Sequence, residues 1–312
     1  MIIIDCKGIG KTYKGSSQPA LHDLNLEVES HSIFGFLGPN GAGKTTSIKI
    51  LTGLMKPTTG SARVDGVEVL MNSMALRSRI GYLGQEASLY KWMKGRELLH
   101  FVAGIFEVPV KERKERVELL LDMSGLAKAA GRKISTYSGG MIQRLGIAQA
   151  LVSKPKVLFL DEPTSSLDPI GRKEVLEFIQ NLHHETTVFM STHILSDVER
   201  VCKHVGILHQ GKLLVCDKLE TLKNRFATNI CEVEFDNEND LEKFNLYLKV
   251  HSPFKIKTTD WCTGVFLNNM REDCMLIQKI ISDLQLFTRR VEIKDATLED
   301  IFVELVKPTE KP

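Results

Sequence analysis

The sequence predicts an α/β chain: a larger domain built on a buried parallel sheet, followed by a smaller α+β domain. Three observations carry that reading. The compact apolar run Ser32–Leu37 ends in a Gly-rich turn that opens a helix, giving strand, turn, helix. A second apolar run, Lys156–Leu160, is bounded by Pro155 and Asp161, as expected of a strand inside a parallel sheet. After about Lys218 the alternation of strands with helices gives way to a different order.

Taken in order, Leu24–Val28 has period two and reads as a strand. Thr45 to Leu54 reads as a helix, and residues 62–84 as strands ending at Ile80–Leu83. Residues 95–130 read as helical, with Leu98, Leu99, Val102, Leu119, Leu120 and Leu121 as core candidates. Met141 to Ser153 and Gly171 to His183 are helices, Thr187–Met190 a strand, and Ile194 to Cys202 a helix. Val205 to Val215 reads as a hairpin turning at Gln210-Gly211. Beyond it the order is strand 230–236, helix 240–249, strands 255–259 and 263–268, helix 272–284, strand 287–293 and helix 297–306. That β-α-β-β-α-β order is the ferredoxin-like arrangement. Thr297-Leu-Glu-Asp300 supplies a capping box for the last helix.

Composition excludes several classes. The chain has 312 residues, enough for about two domains. With 43% hydrophobic and 26% charged residues it is not disordered as a whole. Its net charge of +2 does not point to nucleic acid as a partner, because no large counterion-release contribution is available. The longest stretch free of Asp, Glu, Lys and Arg, Ser30–Gly43, falls short of the about 20 apolar residues a membrane helix needs. The opening Met1–Asp5 lacks the basic region and apolar core of a signal peptide, so no leader is expected. The six cysteines never form Cys-x-x-Cys and read as reduced thiols of a cytosolic protein.

Gly38-Pro39-Asn40-Gly41-Ala42-Gly43-Lys44-Thr45 fits G-x-x-x-x-G-K-[ST] in full. Its glycines let backbone N–H groups curl around phosphates, Lys44 reaches the β/γ oxygens, and the Thr45 hydroxyl can sit on Mg²⁺. The helix that follows turns its positive end to the anion. After the buried strand, Asp161 is suited to hold Mg²⁺ through water and Glu162 to polarise the attacking water. Without the phosphate loop, the same two acids would read as a solvated strand end. Ser138-Gly139-Gly140 is a second anion-ready helix start, with no evident ligand unless it serves a nucleotide held by another subunit.

With these residues in view, about 1–220 of the chain resembles the nucleotide-binding subunit of an ABC transporter. Seven elements occur in the family's order. Tyr13 resembles the aromatic that stacks on adenine. Gly38 to Thr45, followed by Thr46, resembles Walker A, and Gln85 the Q-loop. Ser138-Gly-Gly-Met-Ile-Gln-Arg144 is similar to the signature motif, and Val157–Asp161 with Glu162 to Walker B and its catalytic glutamate. Ser166-Leu-Asp168 resembles the D-loop and His193 the switch histidine. Two departures stand out: Tyr137 and Met141 occupy signature positions that commonly hold Leu and Gln, and a domain is added after residue 220. The ending Asp295–Phe302 resembles export-type subunits for drugs, peptides or antibiotics.

The resemblance implies a P-loop NTPase ABC cassette over 1–220: RecA-like core, antiparallel β subdomain and a helical subdomain at about 86–150. It implies an accessory domain over 221–312. ATP and Mg²⁺ are the implied ligands. Lys44, Glu162 and His193 would be catalytic, and Thr45, Gln85 and Asp161 would serve the metal. Tyr13, Gly38 through Thr46, Gln85, Ser138, Gly139, Gly140 and Asp168 would contact nucleotide. Two such chains would close head to tail, and a separate membrane permease would dock at the cytoplasmic face. The competing reading is a soluble ABC ATPase acting on a cytosolic assembly, although one cassette and no heptad run fit it poorly. Taken singly, Tyr13 could be a surface aromatic, His193 a structural histidine and Gln85 a turn residue. Tyr90, Trp92, Phe101 and Phe106 could dock a partner helix or pack in a helical core.

Overall fold

The computed structural model describes residues 1–226, 229–252, 254–294 and 296–306. One compact unit covers Met1–Leu219 and a second begins at Glu220. The expected second domain runs past the described residues at 307–312, and Asp295 of the export-like ending also lies outside them.

The first unit runs β1 (Ile2–Lys11), β2 (Leu21–Glu29), β3 (Ile33–Leu37), α1 (Lys44–Leu51), β4 (Thr59–Val64), β5 (Val67–Glu68), α2 (Met74–Arg77) and β6 (Ile80–Leu83). It continues α3 (Gly95–Ile105), α4 (Val110–Met123), α5 (Gly139–Ala150), β7 (Val157–Asp161), α6 (Pro169–Asn181), β8 (Thr187–Thr192), α7 (Leu195–Val201), β9 (His204–His209) and β10 (Lys212–Lys218). The six-stranded sheet has the order β10-β9-β3-β8-β7-β6. Its pairs are parallel except the β9–β10 hairpin. β3 and β7 are buried at every residue, which is why they read as unbroken apolar runs. Phe34, Phe36 and Phe159 surround Phe189 with ring centroids 5.3–5.5 Å away.

A second sheet, β2-β1-β4-β5, is antiparallel. β2 alternates, burying Leu21, Leu24, Leu26 and Val28. Those side chains share one core with Phe34 and Phe36 of β3 and with Ile48, Ile50 and Leu51 of α1. Burying each such side chain contributes about 1.5–3 kcal/mol, so α1 and the loop before it are anchored from both sheets.

α3, α4 and α5 form the helical part of the unit. Leu98, Leu99, Val102, Leu120 and Leu121 are buried as expected, but Leu119 is 44% exposed, because the buried stripe of α4 runs through Arg116, Val117, Leu120 and Leu121. A bidentate Arg96–Glu118 pair (2.7 and 3.0 Å) ties α3 to α4. Tyr90, Trp92, Phe101 and Phe106 are 45–73% exposed, so they are not core residues.

Residues 62–84 are not all strand. Ser73 accepts from Leu76 N (3.2 Å) and starts the one-turn helix α2, which buries Leu76. α1 stops at Leu51, short of the expected Leu54, where Gly53 turns left-handed (φ 69°). α6 starts at Pro169, earlier than expected, because Asp168 caps it and proline fits its first turn.

α8 (Leu219–Arg225) starts at the last residue of the first unit, and the second unit continues with β11 (Ile230–Phe235), α9 (Glu238–His251), β12 (Ile256–Thr259), β13 (Cys262–Phe266), α10 (Met270–Asp283), β14 (Thr288–Lys294) and α11 (Leu298–Val306). Its antiparallel sheet has the order β12-β13-β11-β14, the ferredoxin-like order expected from the sequence. Val233, Phe235, Phe244, Leu248, Val265 and Ile277 belong to a core of its own. Asn237 and Asn269 cap α9 and α10. The α11 capping box is present: Asp300 N donates to Thr297 Oγ1 (3.2 Å) and Thr297 N to Asp300 Oδ2 (3.1 Å).

Candidate phosphate-binding and hydrolytic site

The loop from Gly38 to Gly43 joins β3 to α1. A side chain at Gly38 would collide with the Leu208 carbonyl. One at Gly43, whose φ is 109°, would lie 2.6 Å from the Ala20 carbonyl. The loop is tied down by Ala42 N to Pro39 O (3.2 Å) and Gly211 N to Ala42 O (2.9 Å). The first turn of α1 contains no acid, so its N–H groups face no competing negative charge from that turn.

Tyr13, Asn40, Gly41, Gly43, Lys44, Thr45, Thr46, Gln85 and Glu162 line one cavity of about 470 Å³, together with Ala20. All but Ala20 were expected from the sequence. Ala20 carries no chemical signal and enters because the β1–β2 connection runs past the loop. The expected Gly38, Pro39, Ala42, Asp161 and His193 do not line this cavity. Tyr13 is 42% exposed, and its hydroxyl is 3.0 Å from Thr46 Oγ1.

Lys44 is buried. Its Nζ donates to Gly38 O (2.7 Å) and Pro39 O (3.2 Å) and lies 3.1 Å from Glu162 Oε1. The contact with Glu162 is coulombic, because Oε1 receives no aligned hydrogen bond. Glu162 Oε2 meets His193 Nδ1 at 2.8 Å. One buried carboxylate is therefore shared between the loop lysine and the half-exposed histidine. The Glu162 backbone is left-handed (φ 52°), uncommon outside glycine, and its N–H donates to Ser191 O (3.0 Å).

Thr45 Oγ1 donates to Asp161 Oδ1 (3.2 Å), and Ser191 Oγ donates to the same oxygen (2.5 Å). Asp161 is 1% exposed at the C-terminal end of β7. A hydroxyl oxygen and a carboxylate oxygen converging beside a phosphate-sized loop fit a hard divalent cation that keeps most of its other ligands from water and phosphate. Among the described residues no group of three or more His, Cys, Asp and Glu side chains forms a metal cage. Burial, with the Asp161 charge second, pushes the Tyr82 phenol above its usual range. Sequence reasoning missed Ser191; its one signal was a hydroxyl ending an apolar strand beside Thr192-His193.

Ser138, Gly139, Gly140 and Asp168 do not line this cavity. They gather where α5 meets α6. Ser138 Oγ caps α5 by accepting from Met141 N (3.3 Å), and Asp168 Oδ1 caps α6 by accepting from Gly171 N (3.1 Å). A side chain at Gly140 would lie 3.0 Å from Gly171 Cα, so only glycine lets the two helices approach this closely. The unusual Tyr137 is buried. Its hydroxyl donates to Ala129 O (2.8 Å) and occupies the space a side chain at Gly95 would need.

The ABC transporter family model matches residues 21–165. The bacitracin transport ATP-binding protein BcrA of Bacillus licheniformis is 41% identical over 312 residues, 97% of each chain. An uncharacterized ABC transporter ATP-binding protein of Bacillus subtilis, YxlF, is 33% identical over 97% of this chain and 99% of its own. Among solved structures, the dimeric post-hydrolysis state of the ATP-binding cassette MJ0796, bound to ADP and Pi, superposes with a TM-score of 0.62 at 27% identity. That match covers 70% of this chain and 99% of the cassette. The chain belongs to the ABC transporter family, as an ATP-binding, ATP-hydrolysing subunit.

Proposed function

We propose that this subunit binds ATP with Mg²⁺, closes head to tail with a second cassette, and powers a separate membrane permease that exports a drug, peptide or lipid-like molecule. The observation that carries the hydrolytic part is that the cavity-lining Lys44 and Glu162 are in contact, with His193 behind Glu162 and Asp161 behind the cavity-lining Thr45. The similarity to a bacitracin transport protein over nearly the whole chain supports the export reading. Residues 1–220 are the proposed cassette, with its helical subdomain at about 86–150, and 221–312 the proposed accessory domain.

Lys44 leaves its loop carbonyls for the β- and γ-phosphate oxygens, and the loop N–H groups hold the remainder. Mg²⁺, when bound, would supply positive charge against that developing on the phosphates. Thr45, Asp161 and Gln85 are its proposed protein-side partners. Glu162 orients the attacking water, and His193 holds Glu162 and the γ-phosphate in register. Tyr13 flanks the adenine. Ser138, Gly139, Gly140 and Asp168 meet the nucleotide held by the other chain, which makes ATP part of the closed interface. The dimer is then the two-state element that nucleotide biases.

Among the described residues no helix is long and apolar enough to cross a membrane, so in this proposal the chain acts from the cytoplasmic face through its permease. The test is purification of a tagged Glu162→Gln chain, held closed with ATP, from solubilised native membranes. Stoichiometric recovery of a polytopic membrane protein is the expected result. Recovery only with ribosomal or other cytosolic partners overturns the permease reading in favour of a soluble ABC ATPase.

A further inference from the structure

Asp197 lies on α7, four residues after His193, and is 1% exposed. An acid in the first turn of a short helix ordinarily faces water and the helix dipole. This one is closed off from water. Its Oδ2 accepts the Thr164 hydroxyl (2.5 Å) and its Oδ1 accepts Arg172 Nε (2.6 Å). Arg172 also donates from Nη2 to Ser196 Oγ (2.8 Å). Thr164, two residues after Glu162, is likewise 1% exposed. Arg172 stands one turn into α6, four residues after its cap Asp168.

Beyond the Ser191 contacts at the sheet, the segment carrying Glu162 and the segment carrying His193 are joined by side chains at a front and a rear tie. The front tie is the 2.8 Å Glu162–His193 contact. The rear tie is the Thr164–Asp197–Arg172 cluster, in which Thr164 and Asp197 are buried and Arg172 is partly exposed. Glu162 has a left-handed backbone, a conformation that persists only where its surroundings over-determine it. Ser191 holds it from the sheet side. Thr164 holds the residues that follow, because Leu167 N donates to Thr164 O (3.3 Å) and Ser165 Oγ to Glu162 O (3.2 Å).

We infer that Asp197 is a positioning residue for ATP hydrolysis: its carboxylate clamps the 162–172 segment to α7 and so sets where Glu162 stands relative to His193. This rests on the roles proposed above for those two side chains. Because Asp168 and Arg172 share one helical turn, the clamp also makes the loop before α6 move with the histidine.

Asp197→Asn keeps the shape and removes the charge that holds Arg172. We expect kcat for ATP to fall about tenfold with KM for ATP within about twofold, since misplacement of a reacting group costs turnover before binding. In a His193→Ala background the same substitution should change kcat less than about twofold, because the two act through one geometry. Arg172→Lys, which keeps the charge, should lose less than Asp197→Asn. Independently of turnover, amide exchange over residues 163–168 in the nucleotide-free chain should quicken about tenfold in Asp197→Asn. An equal kcat loss in both backgrounds overturns the inference and makes Asp197 a merely structural residue. Unchanged exchange overturns it too. The exchange measurement judges the clamp even if Glu162 and His193 prove not to be the hydrolytic pair.

Discussion

Lys44 Nζ and Glu162 Oε1 stand 3.1 Å apart, with side chains only 5% and 6% exposed. Before nucleotide arrives, the residue that should hold phosphate is neutralised by the residue that should orient water. In the proposed mechanism ATP separates them: its phosphates take over Lys44 and leave Glu162 held by His193 alone, a contact already made at 2.8 Å.

Lys44→Met should therefore do two things. It should weaken ATP binding at least about tenfold by removing the one ammonium in the loop. It should also destabilise the nucleotide-free chain by about 3 kcal/mol, because a buried carboxylate loses its partner. Adding Glu162→Gln should restore most of that stability and none of the binding. Urea unfolding and nucleotide titration of the single and double variants check both halves.

Glu162→Gln alone should lower kcat by roughly 10²–10⁴-fold, the usual range for a positioned general base. It should leave ATP binding intact or tighter, since Lys44 no longer has to leave a charged partner. Single-turnover hydrolysis and equilibrium binding separate the two effects. Weaker binding together with unchanged turnover would contradict the assignment.

Gly95 and Tyr137 should behave as a coupled pair. A methyl at residue 95 meets the Tyr137 hydroxyl, which itself donates to Ala129 O. Gly95→Ala should cost on the order of 1–3 kcal/mol in the native background through overpacking. In a Tyr137→Leu background, which restores the commoner signature residue, it should be close to neutral. Thermal melts of the four-member cycle give the coupling directly.

The second unit should lose stability in acid. Hydrogen bonds from the Thr297 hydroxyl hold the Asp300 carboxyl below its ordinary value, and the Asn237 amide does the same for Asp240. A carboxyl depressed on folding stabilises above its unfolded pKa and loses that contribution as pH falls through its folded pKa. Unfolding midpoints followed at Trp261 in a Trp92→Phe chain should drop as pH falls below about 4. Thr297→Ala should flatten that slope.

How legible was the molecule in its sequence? The loop from Gly38 to Thr45 and the acids after Leu160 were legible because their chemistry demands particular residue types at fixed spacing. The first strand of the second unit was legible because it alternates, burying Cys231, Val233 and Phe235. Leu119 was misjudged because three consecutive leucines do not say which two face inward; the helical phase of Arg116 and Val117 decides. α2 escaped notice because one turn has too little period to detect. The Thr164–Arg172–Asp197 cluster was invisible because its members lie far apart in the chain and each, alone, resembles an ordinary surface residue.

The left-handed backbone at Glu162 has a consequence for how such a chain drifts over generations. Glycine and asparagine adopt that conformation more cheaply than glutamate does. Relief of that backbone cost would favour replacing Glu162 only together with the buried Lys44, which would otherwise lose its carboxylate, and on the proposed role the replacement would silence the ATPase. If Glu162 has the proposed role, a relative carrying glycine or asparagine there is the natural place to look for a cassette that has ceased to turn over.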